Sequence, residues 1–273
     1  MAITPTEKKI NIKFKQYYKN MRDILESFHL IEFYIPHLHH LLKNNSIPSL
    51  NIYNPTSRQI EAFSKKDTFG AIDHLKLKAN PRRALMDMVS TTEHYLGKIC
   101  SMVYLEFPER FLINDEDDSA ERIKKLSSII IHSSSKEEII DIMVEEKIRN
   151  LFYGNPVDFF TKKKIKLQLD KVFNSSFAYE LEQYAEIVAR RNICVHNGGR
   201  VDRKYLREVK GASYKLETVL AIDKNYLINS FHILVGLATS ATYLIINNIY
   251  SKKPSAQIEY IYKQFIESSP KSA

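Results

Sequence analysis

Between Tyr226 and Tyr250 the chain is strongly apolar, with Asn229, His232, Ser240, Asn247 and Asn248 spaced through it. A segment of this length has to find an apolar environment. The polar residues within it suit a protein interior better than lipid, so the segment reads as a central buried helix rather than a membrane span. Glycine usage points the same way: 7 glycines in 273 residues argue against a sheet-rich or Gly-loop-rich fold. The fold class expected is all-α, a helical bundle.

The rest of the chain supplies helices to pack around that segment. Gln16 to Asn44 carries Tyr17, Met21, Ile24, Leu25, Phe28, Ile31, Leu38 and Leu42 at near-helical spacing, and Pro36 should kink or split this helix. Residues 47–55 read as a loop, followed by a weaker helix over 57–65. Asn80-Pro81 has the form of an N-cap followed by proline at the first helical position. The helix it starts places Leu85, Met88, Val89, Thr92, Tyr95, Leu96, Ile99 and Val103 on one stripe and should stop before Pro108. An acidic loop (114–118) and a short helix (120–131) follow. Ser135 and Glu138 form a capping box for a helix ending before Gly154. Asn155-Pro156 repeats the start signal, and the helix after it is rich in lysine at 162, 163, 164 and 166. Asp202 caps a short helix, 214–222 could be extended, Asp223 caps the long apolar helix, and a last amphipathic helix spans 255–268.

The net charge is +8 and the sequence pI about 9.2. A basic surface attracts polyanions, although lysine-rich solubility gives the same balance. Two cysteines, Cys100 and Cys194, sit inside apolar helical patterns and do not suggest a secreted disulfide framework. The first residues contain no apolar run of the kind a signal peptide needs, so a cytoplasmic location without membrane attachment is expected.

The helix over 176–196 carries the feature with chemical content. Phe177, Leu181, Tyr184 and Val188 form its apolar stripe. Continuing that stripe calls for apolar residues at 191 or 192 and at 195. Val195 complies, but positions 191 and 192 are Arg and Asn. Asn192 and His196 are four residues apart and share a face, with Arg191 at its edge. Asn197-Gly198-Gly199 then stops the helix, since glycine accepts the left-handed backbone of a C-cap. Polar groups buried there without partners would cost about 1–3 kcal/mol each, so they are either partnered or functional. Alternatively the helix simply reaches the surface in its last turn, with His196 favoured by the C-terminal end of the helix dipole.

Arg191-Asn192, three residues, then His196 resembles the R-[polar]-x3-H signature of the HEPN superfamily (higher eukaryotes and prokaryotes nucleotide-binding). The wider stretch ARRNICVHNGGRVDRKYL resembles HEPN-like proteins of bacterial defence systems through Leu206. The resemblance covers about residues 81–252 and leaves residues 1–80 as a basic helical region of unknown role, so the expected division is 1–80 and 81–273. It implies a HEPN-type bundle and a metal-independent endoribonuclease, a toxin or antiviral effector needing no cofactor. It further implies a homodimer with RNA between two motif helices, Arg191, Asn192 and His196 as catalytic residues, and an antitoxin or sensor protein as a further partner.

The residue chemistry is compatible with that implication. Metal-free RNA cleavage needs proton transfer at the 2′-hydroxyl and the 5′-oxygen, and a cation at the phosphate. His196 suits the first task and Arg191 the second, while Asn192 can orient the imidazole. Arg190, Arg200 and Arg203 could bind flanking phosphates, and Glu93 could face the motif from the preceding long helix. His37 and His40 share a helix face, but no neighbouring Cys or Asp completes a metal set. Tyr205 and Cys194 read as packing residues. The competing reading is a non-catalytic helical module that binds RNA, a nucleotide or a protein.

Overall fold

A computed structural model describes residues 5–46, 50–112, 129, 133 and 135–269. The protein is all-α, with 74% helix and 4% strand. In chain order the described elements are α1 (Thr6–Lys43), β1 (Asn51–Asn54), β2 (Gln59–Ala62), α2 (Lys65–His74), a π-helical turn (Leu75–Ala79), α3 (Asn80–Glu106) and α4 (Pro108–Leu112). There follow α5 (Lys136–Tyr153), α6 (Asp158–Thr161), a 3-10 turn (Lys163–Ile165), α7 (Asp170–Ser176), α8 (Ala178–His196), α9 (Arg203–Glu208), α10 (Lys224–Asn248) and α11 (Ala256–Ser268). The acidic loop and short helix expected over 114–131 fall almost entirely outside the described residues.

The apolar segment forms α10, capped by the Asp223 carboxylate, which accepts from the Tyr226 N–H. It is the one described helix long and apolar enough to cross a membrane, and 72% of its apolar window is buried inside the protein. The first half of α1, α3 and α10 are tied together at mid-height. The rings of Tyr17 and Tyr95 stack with centroids 4.4 Å apart. Tyr17 donates to the Leu234 carbonyl, and Tyr95 and Thr242 share a 2.7 Å hydrogen bond. Ile10, Phe14, Tyr17, Met21 and Phe28 of α1 belong to the same core as α3, α8 and α10, so apolar packing is continuous across position 80. On the far side of α10, Gly236 lets the Phe265 ring of α11 approach. A Cβ at 236 would meet Phe265 Cδ2 at 2.1 Å, so the α10–α11 contact depends on hydrogen at that position.

Four expectations differ from the fold. Pro36 does not split α1, which runs unbroken through it from Thr6 to Lys43. It lies on the exposed side, where the carbonyl deprived of its hydrogen bond can be hydrated. Residues 51–62 form a two-stranded antiparallel hairpin instead of a loop and a weak helix, with Asn51 opposite Ala62 and Asn54 opposite Gln59. The Asn54 side chain fixes the bend by accepting from the N–H groups of Thr56 and Ser57. Asn80 is not a cap: its backbone is helical (φ −64°, ψ −49°), and its side chain donates to the Phe28 carbonyl of α1. The chain stays helical from α2 into α3, with the π turn immediately before Pro81. Proline cannot donate to the fourth residue back and crowds its carbonyl, and a widened turn relieves that conflict. The lysine-rich stretch after Asn155 is also not one helix. Lys166 and Gln168 have positive φ, which breaks the chain between α6 and α7.

Candidate functional site

The motif helix α8 lies against α3 and α10 and carries the expected stripe inward. Phe177, Leu181, Tyr184 and Val188 are all buried. The stripe then leaves the core: Val195 is 49% exposed, and the His196 side chain is exposed at the last turn. Asn197-Gly198-Gly199 ends the helix as the sequence indicates. Gly198 and Gly199 have φ of +58° and +80°, and the Gly199 N–H reaches back to the Ile193 carbonyl at 2.9 Å.

Arg191 does not run free to solvent. Its Nη2 forms a salt bridge with Glu93 on α3, each side chain being 19% exposed. The structure therefore brings Glu93 and Arg191 together from helices far apart in sequence. Burial pushes the Glu93 carboxyl above its ordinary value, against the opposing pull of the Arg191 guanidinium. Arg191 Nε and the Tyr184 hydroxyl are buried and have no hydrogen-bond partner among the described residues. Tyr184 feels the charges of both members of the pair, and burial raises its own pKa. Asn192 is half-buried, and no described side-chain hydrogen bond holds either Asn192 or His196. The end of α8 thus places an anchored guanidinium, its unpaired Nε–H buried, beside a carboxamide and an imidazole at an apolar-to-solvent boundary.

Arg190 faces the opposite way. Its Nε pairs with Glu186 at 2.7 Å, its Nη1 donates to the Ala221 carbonyl at 3.1 Å, and its guanidinium lies 4.1 Å from the centre of the Tyr226 ring. Glu186 also accepts from the Tyr205 hydroxyl at 2.8 Å and from the Tyr226 hydroxyl at 2.7 Å. This network fastens α8 to α9 and α10, and it engages Arg190 internally rather than offering it to a phosphate. Tyr205, read from sequence as packing, is buried in it. Sequence reasoning missed Glu186. Its position one helical turn before Arg190 was the available signal.

Arg200 and Arg203 are exposed beyond the helix end. Arg200 donates to the Glu217 carbonyl at 3.3 Å, and its own carbonyl accepts from Asn197. Its bridge to Val219 folds 200–219 back on itself, with Asp202 capping α9 in between. Cys194 is half-buried, and burial raises its thiol pKa, in keeping with a filler role. Cys100 is fully buried and pushed up to about 12. No group of three or more His, Cys, Asp or Glu among the described residues could hold a metal ion. His39, rather than His37 or His40, approaches a carboxylate, with Nε2 3.3 Å from Asp73.

A second residue missed by the sequence reading, an arginine, stands at the same turn. Arg82, at the start of α3, lies over Gly199, where a Cβ would come within 2.8 Å of Nη2, 3.2 Å of Cζ and 3.4 Å of Nε. Arg82 and Glu93 lie three turns apart on the same face of α3, about 16 Å along its axis. The signal was that spacing. Comparison with protein-family models, with curated proteins and with solved structures finds no match for this chain.

Proposed function

We propose that this chain is a HEPN-like endoribonuclease whose working unit is a homodimer, with two α8 helix ends facing one another across the RNA. The observation that carries the reading is the state of the polar groups where the α8 stripe leaves the core. Arg191 is held in place by Glu93 yet keeps a buried Nε without an acceptor, and Asn192 and His196 have no described side-chain partner. Orphaned buried donors are uncommon in native proteins and cost about 1–3 kcal/mol each. A substrate anion at this turn would pair with the exposed His196 and the half-buried Asn192, and a small shift of the turn would open the Arg191 Nε–H to it. Exposed Val195 beside them gives the same surface an apolar centre suited to contact with a second copy.

In this reading the 2′-oxygen attacks the neighbouring phosphorus while a base takes the 2′-proton, and the bond from phosphorus to the 5′-oxygen breaks as an acid protonates that oxygen. The products are a 2′,3′-cyclic phosphate and a 5′-hydroxyl. His196 of one protomer and the same residue of its partner supply base and acid. Arg191 balances the charge that builds on the phosphate, with its angle set by Glu93. Asn192, one turn before His196, orients the imidazole or the phosphate. Toxin or antiviral action follows as the biological role, with RNA as substrate and an antitoxin or sensor as partner.

One observation favours a second reading, a non-catalytic RNA- or protein-binding module: Glu93 already neutralises Arg191 in the resting protein. Controlled expression separates the two. Wild-type chain is expected to arrest growth and to leave cleaved cellular RNA, and His196→Ala to do neither. Growth arrest that survives the substitution with intact RNA would support the binding module.

A further inference from the structure

We propose that Arg82 is a phosphate-binding residue of the α8 site, gripping the backbone of a polynucleotide beside the Arg191–His196 turn; the inference rests on the ribonuclease reading for the identity of the strand. The three distances from a Cβ at Gly199 to Arg82 Nη2, Cζ and Nε, with Nη2 the nearest, place the tip of the guanidinium against the Gly199 turn. The guanidinium packs beside the turn without giving its donors to it. No ion pair or hydrogen bond holds Arg82 among the described residues, whereas Arg190 is paired with Glu186 and Arg191 with Glu93. Of Arg82, Arg190 and Arg191 it is the one without a carboxylate partner. Its charge reaches the Cys194 thiol inside the motif. Exposed Arg200 follows Gly199 directly, so the turn carries positive charge on both sides of the glycine.

A guanidinium held beside the turn with no acceptor of its own can offer two donors to phosphate oxygens. Gly199 is required by its φ of +80°. The purely structural role open to Arg82 is to offset the C-terminal dipole of α8. That role predicts a lower melting temperature on substitution and no change in nucleic-acid affinity.

The test is binding of a fluorescent single-stranded RNA oligomer with every 2′-hydroxyl methylated, so that cleavage cannot occur, across a salt series. Arg82→Gln is expected to weaken binding by about tenfold or more. The slope of log affinity against log salt should fall by about 0.7, one single-strand phosphate contact. Arg82→Lys should keep the slope but bind more weakly, because the charge remains and the fork is lost. If Arg82→Gln lowers the melting temperature, Arg82→Lys measured well below both transitions decides. Affinity and slope unchanged in both variants would overturn the inference, as would loss of affinity for a mononucleotide alone with none for the oligomer. Binding does not depend on His196 chemistry. Failure of the ribonuclease reading would appear separately, as cleavage of unmodified RNA that persists in His196→Ala.

Discussion

Glu186→Ala removes the acceptor at the centre of the buried network behind the motif helix, and its cost can be worked from the contacts. The carboxylate accepts from Arg190 Nε and from the hydroxyls of Tyr205 and Tyr226. The Arg190 and Glu186 side chains are 11% and 16% exposed, so little water is available to replace the lost partner. Removing one member of a buried ion pair costs about 3–5 kcal/mol. Arg190 keeps the Ala221 carbonyl and the Tyr226 ring, which places the pair loss at the lower end. Two hydroxyls without an acceptor add about 1 kcal/mol each if they stay dry. The total is about 5 kcal/mol. In a chain of this size that corresponds to a fall in Tm on the order of 10 °C. Urea and thermal denaturation of wild type, Glu186→Ala, Arg190→Met and the double variant supply the cycle. The double variant is expected to be more stable than the sum of the single losses allows, because neither charge is left alone. A loss under about 1 kcal/mol for Glu186→Ala, or additive losses in the cycle, would refute the network as the tether of α8 to α9 and α10.

Gly236→Ala is expected to cost at least about 1–3 kcal/mol in chemical denaturation, because its Cβ would press into the Phe265 ring at 2.1 Å and force α11 away. Phe265→Leu in the same background should recover part of that loss. Glu93 gives a pH signature. Its folded pKa is raised, so its stabilising contribution is complete below the unfolded value of about 4.5 and is lost as pH rises through the higher folded value. Stability of wild type relative to Glu93→Gln should therefore decline as pH rises from about 4.5; a relative gain over that window would contradict the burial argument. Glu93→Gln also releases Arg191 from its countercharge. On the ribonuclease reading it should lower cleavage rate by misplacing the guanidinium, even as oligomer affinity rises.

The sequence signals that matched the fold were those with a local cause. Ser135, Asp202 and Asp223 each accept the backbone N–H three residues on, and the Gly198-Gly199 pair takes the left-handed backbone that ends α8. The stripe from Phe177 to Val188 is buried, and its departure at Arg191 coincides with the end of the core. Features decided by distant partners were not legible. Asn80-Pro81 has every local mark of a helix start, yet the Phe28 carbonyl recruits the asparagine and a π turn absorbs the proline. Arg190 resembles a phosphate ligand by its neighbours in sequence, but Tyr226 and Ala221 across the bundle claim it. Arg82 lies more than a hundred residues from the motif, and only the antiparallel packing of α3 on α8 brings it to Gly199.

The most direct test of the dimeric Arg/His site uses purified protein, a defined RNA and chelator-treated buffer, with product ends mapped as protein concentration is varied. The account predicts 2′,3′-cyclic phosphate and 5′-hydroxyl ends, specific activity that rises with concentration as dimers form, and loss of cleavage by at least about 100-fold in His196→Ala. Cleavage by His196→Ala at the wild-type rate, or wild-type products carrying 3′-hydroxyl ends, would contradict it.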